Sequence, residues 1–288
     1  MIKENVKFYM EKLDFPVNEQ NELLQALNEL LKTNDFLNIV ERYKEANFDF
    51  LSMIENVKQL AENKEICTYT AYMLLLICIL PKLHEKYINQ NIDEKIFYDT
   101  IYDLRYKLDE CKLVHGKCGT FVPTWYKGFF EMRIFALGRL QFEINHTWFD
   151  CDIKGVHIPK GTKVLSVHIP RTGMPLNHIW VTDSYKAAKT FFKEEFDGNI
   201  VFVCNSWLLY PWNRTIYKEE SNLAKFYDDF TIVSSGEYKD YSECWRLFDC
   251  LYDGNVNNLP NDTSLRKAFV ARIKSGEPIG HGTGVILF

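Results

Sequence analysis

The sequence predicts an α+β protein of two domains, an all-α N-terminal half followed by a mixed α/β half. Three observations carry this. The chain has 288 residues, near the size at which one hydrophobic core stops growing and chains divide. Up to about residue 134 the apolar residues recur at helical spacing, and after Phe135 to Glu143 they come mostly in short β-branched and aromatic runs. In the second half those runs alternate with helical patterns, the order expected of a mixed sheet with crossovers.

In the first half, Ile2, Val6, Tyr9, Met10 and Leu13 share one face of a first helix, stopped by Asp14-Phe-Pro16. Leu23, Leu24, Leu27, Leu30 and Leu31 mark a second, and Asn34-Asp35 is placed to cap a third carrying Phe36, Ile39, Val40 and Tyr43. Leu51, Ile54, Val57 and Leu60 make the stripe of a fourth. A fifth, about Ile66 to Tyr87, is apolar almost all round in its middle and so should be central. A sixth is read over Asn91 to Lys117, starting at Asp93. The domain boundary falls at about residue 120.

In the second half, Trp125 to Ala136 reads as helical, Gly138 ends it, and Leu140 to Ile144 alternates as a strand. Further strands are read at Lys163 to Ile169, Ile200 to Leu209, Phe230 to Ser234, Trp245 to Phe248 and Val285 to Phe288. Helices are read at about Thr182 to Phe196, Ser221 to Asp229 and Thr263 to Ser275. The glycine-rich Gly276 to Gly284 precedes a strand instead of a helix, so it reads as a connection and not a phosphate loop.

Composition narrows the function. The net charge of -5 lacks the basic excess of a nucleic-acid binder. The most apolar run, Tyr72 to Leu83, contains Pro81 and Lys82 and falls short of the roughly 20 residues that span a bilayer. The N-terminus has no signal-peptide pattern, and the eight cysteines form no Cys-x-x-Cys pair, which fits reduced thiols and a cytoplasmic protein. His146, His157, His168 and His178 lack the short spacing that seeds a metal site, and His157-Ile-Pro repeated as His168-Ile-Pro suits two strand ends closed by proline.

Five motifs stand in order: Leu137-Gly-Arg-Leu-Gln-Phe-Glu143, Val167-His-Ile-Pro170 with Gly173-x-Pro175-Leu176, Cys204-x-Ser206-Trp-Leu-Leu209, Ser221-Asn-Leu-x-x-Phe226, and Gly280-x-Gly-x-Gly284. Together they resemble the bacterial acyltransferase-domain proteins that join a helical N-terminal domain to a GNAT-like C-terminal domain. The resemblance implies a sheet whose central strands splay so that the pantetheine arm of an acyl-CoA lies between them, with no metal. It implies direct transfer of an acyl group from the thioester to an amine of a small molecule, which rests chiefly on positioning, worth about 7–11 kcal/mol at the ideal limit. A catalytically silent acyl-CoA sensor and an interaction scaffold are the alternatives.

The same resemblance assigns site residues. Ile169, Arg171, Thr172, Gly173, Ser206, Ser221 and Asn222 would contact the cofactor, Arg171 to Leu176 being its loop, with Thr182 or Asp183 capping the helix that follows. That loop departs from the usual GNAT pattern: counting from Arg171, Met174 and Leu176 stand where Gly and Gly or Ala are usual. Tyr227 would protonate the departing thiolate, and Glu143 and His168 would take the proton of the attacking amine. For Glu143 a structural ion pair is the favoured alternative, and for Ser206 a bond to backbone is the other reading. The acceptor's identity and the oligomeric state are left open.

Overall fold

The computed structural model describes residues 2–288, which divide into two compact units, one ending at Phe135 and the other running from Ala136 to Phe288.

The first unit is helical. Its elements are α1 (Ile2–Lys12), α2 (Val17–Leu30), α3 (Asp35–Glu41), α4 (Phe50–Asn63), α5 (Thr68–Asn89), α6 (Glu94–Ile101), α7 (Asp103–His115) and the single turn α8 (Lys127–Phe130). Every residue of α5 from Thr70 to Leu80 is buried, and α1, α2, α3 and α4 all pack on it. A helix apolar on all sides can be stable only inside such a ring. Pro81 is accommodated within α5, although it removes one backbone donor. Asp49 caps α4 by accepting from Leu51 and Ser52, and Asp93 caps α6 through Lys95. Asn34 precedes α3 without a side-chain cap; Thr33 instead bonds Asp35. In α4 the buried face is Phe50, Met53, Ile54, Val57 and Ala61, while Leu51 is exposed.

Two sequence expectations in this region are corrected. The helix read over Asn91 to Lys117 is two helices that meet at Tyr102, where the Arg105 N–H bonds the Tyr102 carbonyl in a tighter, three-residue step. The helix read over Trp125 to Ala136 ends at Phe130. Met132 takes a left-handed conformation (φ 56°), and the N–H groups of Met132 and Arg133 bond the carbonyls of Phe129 and Gly128, closing the helix as a Schellman turn. The four residues after it, all buried, form strand β1 (Ile134–Leu137).

The second unit is built on a six-stranded sheet of β1, β2 (Leu140–His146), β5 (Lys163–His168), β6 (Val201–Ser206), β7 (Thr231–Glu237) and β8 (Gly280–Leu287), in the order β1-β2-β5-β6-β8-β7. A two-stranded hairpin of β3 (Cys151–Ile153) and β4 (Val156–Ile158) makes a separate sheet. Pairing is antiparallel for β2 with β5, β6 with β8 and β7 with β8, and parallel for β5 with β6. Helix α9 (His178–Phe191) crosses between the parallel strands, and its Tyr185 joins Phe142, Phe202 and Phe288 in one ring cluster. Between β6 and β7 lie α10 (Pro211–Ile216) and α11 (Asn222–Asp228). Between β7 and β8 lie the single turn α12 (Trp245–Phe248) and α13 (Ser264–Lys274), which share a small core of Cys244, Phe248, Leu259, Phe269, Val270, Ile273 and Ile279.

Four further expectations change. Trp245 to Phe248 is a helical turn and not a strand, because the Asp240 carboxylate takes the Ser242 N–H and turns the chain, and Asp249 (φ 61°) ends it. The helix read from Thr182 starts four residues earlier, capped by Asn177, which accepts from Ile179 and Trp180. The strand read to Leu209 stops at Ser206, whose hydroxyl accepts from Leu208 and begins a short 3-10 turn. Gly280 to Gly284 belongs to β8 itself. A Cβ at Gly282 would stand 2.0 Å from the Leu209 carbonyl oxygen, and one at Gly280 would stand 2.2 Å from that of Gly236. These glycines serve close backbone approach, not flexibility. Among the described residues no helix is long and apolar enough to cross a membrane.

Gly282→Ala meets backbone that cannot swing aside, so it should cost about 3 kcal/mol or more, read as a lowered thermal midpoint. Gly155→Ala, at φ 79° with open space around it, should cost only about 1–2 kcal/mol. Equal midpoints for the two variants would refute the close-approach account.

Candidate active site

Strands β2 and β5 sort their side chains by alternation. One face of the pair presents Phe142, Ile144, Leu165 and Val167, continued by Phe202 on β6, and this face meets Tyr185 of α9. The other face presents Gln141, Glu143, Ser166 and His168, polar residues of which the first three are buried. In the register Glu143 lies opposite Ser166 and His168 opposite Gln141, so Glu143 and His168 are diagonal neighbours on one face. Their side chains meet, with His168 Nε2 3.1 Å from Glu143 Oε2. The Glu143 side chain is 12% exposed, which makes an imidazole partner worth more than it would be in water.

The parallel pair β5 and β6 is in register only at Leu165 with Phe202 and Ser166 with Val203, although the strands run on to His168 and Ser206. The sheet therefore opens at the carboxyl ends of these two strands, with Val167 and His168 on one lip and Cys204, Asn205 and Ser206 on the other. On the second lip, the Asn205 amide donates to Thr283 of β8 at 2.9 Å. The near end of the same polar face is closed by an apolar cluster of Ile153, Ile158, Val164, Val203 and Val285.

Beyond His168 the loop from Arg171 to Leu176 leads to α9. Gly173 turns it with φ 73°, and the Thr172 hydroxyl accepts from the Met174 N–H. Arg171 is engaged elsewhere: its guanidinium lies 2.7 Å from Asp249, which also pairs with Arg266. The loop is instead held by Arg139, which donates to the carbonyls of Pro170, Met174 and Pro175. Ile169 follows β5 directly and is half-buried. Thr182 and Asp183 lie within α9, the first donating to the His178 carbonyl and the second pairing with Lys186.

The remaining residues singled out in the sequence lie on α11 and at its start. Ser221 caps α11 by accepting from Ala224, and Asn222 is its first residue. Tyr227 is half-buried near the end of that helix; burial, with Asp228 beside it, raises its phenol above the ordinary value against the opposing pull of Arg214. Arg214 itself grips Asp228 through two bonds of 2.7 and 2.9 Å. Tyr227 has neighbours in Asp228, Arg214 and Tyr217 and shares no hydrogen bond with Glu143 or His168.

The evenly spaced histidines separate. His157 meets Asp152, His168 meets Glu143, and His178 stands 3.5 Å from Asp229. Among the described residues no three His, Cys, Asp or Glu side chains come together as metal ligands. His84, the helix-end histidine of the first unit, stacks on Phe97 at 4.1 Å, and burial lowers its pKa. Arg139 is the residue that motif reading passed over; its place directly after a turn glycine was the available signal.

The chain is similar to two family models, the N-acyltransferase N-terminal domain over residues 4–132 and the GNAT-like C-terminal domain over residues 134–286. Among solved structures it resembles an acyltransferase mutant in complex with octanoyl-CoA (20% identity, TM-score 0.78, covering 99% of this chain and 88% of that one). It also resembles an acyltransferase in complex with CoA and 10C-teicoplanin (20% identity, TM-score 0.76, 98% and 87%) and one in complex with decanoyl-CoA and teicoplanin (20% identity, TM-score 0.73, 98% and 87%). No protein with a curated description matches the chain. With one model covering more than half of its length and the other most of the remainder, the chain belongs to the acyltransferase family that joins an N-acyltransferase N-terminal domain to a GNAT-like C-terminal domain.

Proposed function

We propose that this protein is an N-acyltransferase that moves an acyl group from a CoA thioester to an amine of a small molecule by direct transfer. The observation that carries the proposal is the Glu143–His168 pair at the place where β5 and β6 cease to pair. Family membership supports the reaction class, and the CoA esters bound by the similar acyltransferases support an acyl-CoA as co-substrate. Teicoplanin in two of those complexes makes a multifunctional small-molecule amine a reasonable first acceptor to screen.

In this reading the thioester carbonyl sits in the opening between the strands. An unpaired backbone N–H on a splayed strand is a donor that can polarise it. The acceptor arrives as an ammonium ion and must lose a proton before its nitrogen can attack. His168 takes that proton, and the carboxylate of Glu143 stabilises the imidazolium that results. The amine nitrogen then forms its bond to the carbonyl carbon, the carbon–sulfur bond breaks, and the CoA sulfur leaves as a thiolate. Tyr227, whose raised pKa keeps it protonated through neutral and mildly alkaline pH, is the candidate donor to that sulfur. Ile169, Thr172, Gly173, Ser206, Ser221 and Asn222 are proposed to border the cofactor. Arg171, neutralised by Asp249, is proposed to steady the loop and not to bind phosphate.

His168→Ala should lower kcat on the order of 100-fold or more, the usual worth of a positioned base, with CoA binding little changed. Glu143→Gln should lower it less, about 10-fold, because the imidazolium formed on proton uptake loses its counter-charge. CoA release from decanoyl-CoA in the presence of an amine panel gives the readout. Unchanged rates in both variants would remove the pair from the mechanism.

Tyr227→Phe should lower turnover more than it weakens CoA binding, and equal activity in the two proteins would remove Tyr227. Calorimetric titration of the wild type with CoA and acetyl-CoA tests the cofactor itself. No binding of either would favour a sensor of another ligand or a scaffold.

A further inference from the structure

We propose that Arg139 is a positioning residue that shapes the loop from Arg171 to Leu176 to receive the diphosphate of CoA. The proposal rests on the acyl-CoA reading above. Arg139 is the second residue of the two-residue turn between β1 and β2, distant from the loop in sequence. Its guanidinium nevertheless gathers three loop carbonyls, with Nη1 on Pro170 at 3.1 Å, Nη2 on Met174 at 2.9 Å and Nε on Pro175 at 3.2 Å.

The arginine is itself held in place. The Arg139 N–H donates to the Ser184 hydroxyl at 2.7 Å, and that hydroxyl donates to the Trp180 carbonyl at 2.8 Å, pinning the turn to the first turns of α9. The preceding Gly138 has φ 79°, and a Cβ there would stand 2.7 Å from the Ser184 oxygen, so turn and helix fit only with glycine at that position. The arginine thus bridges the β1–β2 turn, the loop and, through Ser184, the start of the helix.

The consequence for a ligand follows from the direction of peptide dipoles. Carbonyl oxygens repel a diphosphate, whereas N–H groups attract it. Three loop carbonyls are turned onto one cation. The N–H groups of Thr172 and Met174 are used within the loop, by the Pro170 carbonyl and the Thr172 hydroxyl, while those of Arg171 and Gly173 bond nothing among the described residues. Arg171, the residue in the position where a GNAT loop carries its cation, gives its charge to Asp249. Arg139 therefore supplies from outside the loop the carbonyl anchoring that shapes it.

The test is calorimetric titration of the full chain with CoA, for wild type, Arg139→Ala and Arg139→Lys, with hydrogen exchange followed over residues 170–177 and over β8. Arg139→Ala should weaken CoA binding at least about 10-fold and speed exchange in the loop while leaving exchange in β8 unchanged. In turnover it should raise KM for acyl-CoA with kcat within about threefold of wild type. Arg139→Lys keeps the charge but cannot reach three carbonyls at once, and should fall between the two. Wild-type affinity for CoA in either folded variant overturns the proposal, and if Arg139→Ala does not fold, Arg139→Lys alone decides it. Failure of the wild type to bind CoA overturns the acyl-CoA reading instead, a separate outcome.

Discussion

The parallel pairing of β5 with β6 is short, and much in the C-terminal unit depends on that shortness. Two residue pairs in register tie the halves of the sheet together, and past them β5 and β6 no longer pair with each other, although β5 keeps β2 and β6 keeps β8 as partner on its other side. An unpaired backbone donor or acceptor must find another partner or face water. A sheet interior that opens in this way is suited to take in an extended ligand as a further strand, with main-chain bonds supplying affinity. The aromatic cluster of Phe142, Tyr185, Phe202 and Phe288 packs across β2, β6 and α9 on the opposite face.

Alternation along β2 and β5 then decides what the opening can do. One face is apolar at Phe142, Ile144, Leu165 and Val167 and taken up by packing, and the other carries a carboxylate and an imidazole in contact. Placing both on regular strands, and not on loops, holds their separation to what the register allows. Arg139 plays the corresponding part for the loop after β5, which has no regular structure of its own. The Glu143–His168 pair is held by strand geometry and the loop after β5 by a side chain.

Much of this was legible in the sequence, for reasons that differ by element. The helices of the first unit announce themselves because each buries one stripe, and α5 because it buries all of them. Where the reading failed, a local contact overrode the pattern: Met132 in a left-handed conformation ended a helix early, and Asn177 began another ahead of Thr182. Trp245 and Phe248 looked like strand residues, since four residues cannot distinguish a period of 2 from one turn of helix. Glu143 and His168 could be named singly, but their contact depends on a strand register 25 residues apart. The ion pair of Arg171 with Asp249 could not be read from the sequence, because Asp249 lies in a segment that gives no sign of reaching the loop.

The position of β8 bears on how the unit is made. It is the last strand in sequence, yet it lies between β6 and β7 and completes both. At synthesis rates of roughly 5–20 residues per second, several seconds separate the emergence of β6 from that of β8. During that interval β6 and β7 each present an open edge, the kind of surface on which chains pair wrongly. The three glycines at Gly280, Gly282 and Gly284 dilute the hydrophobic, β-forming character of the strand that must arrive last. Until β8 has taken its place, those two edges stay open to mispairing.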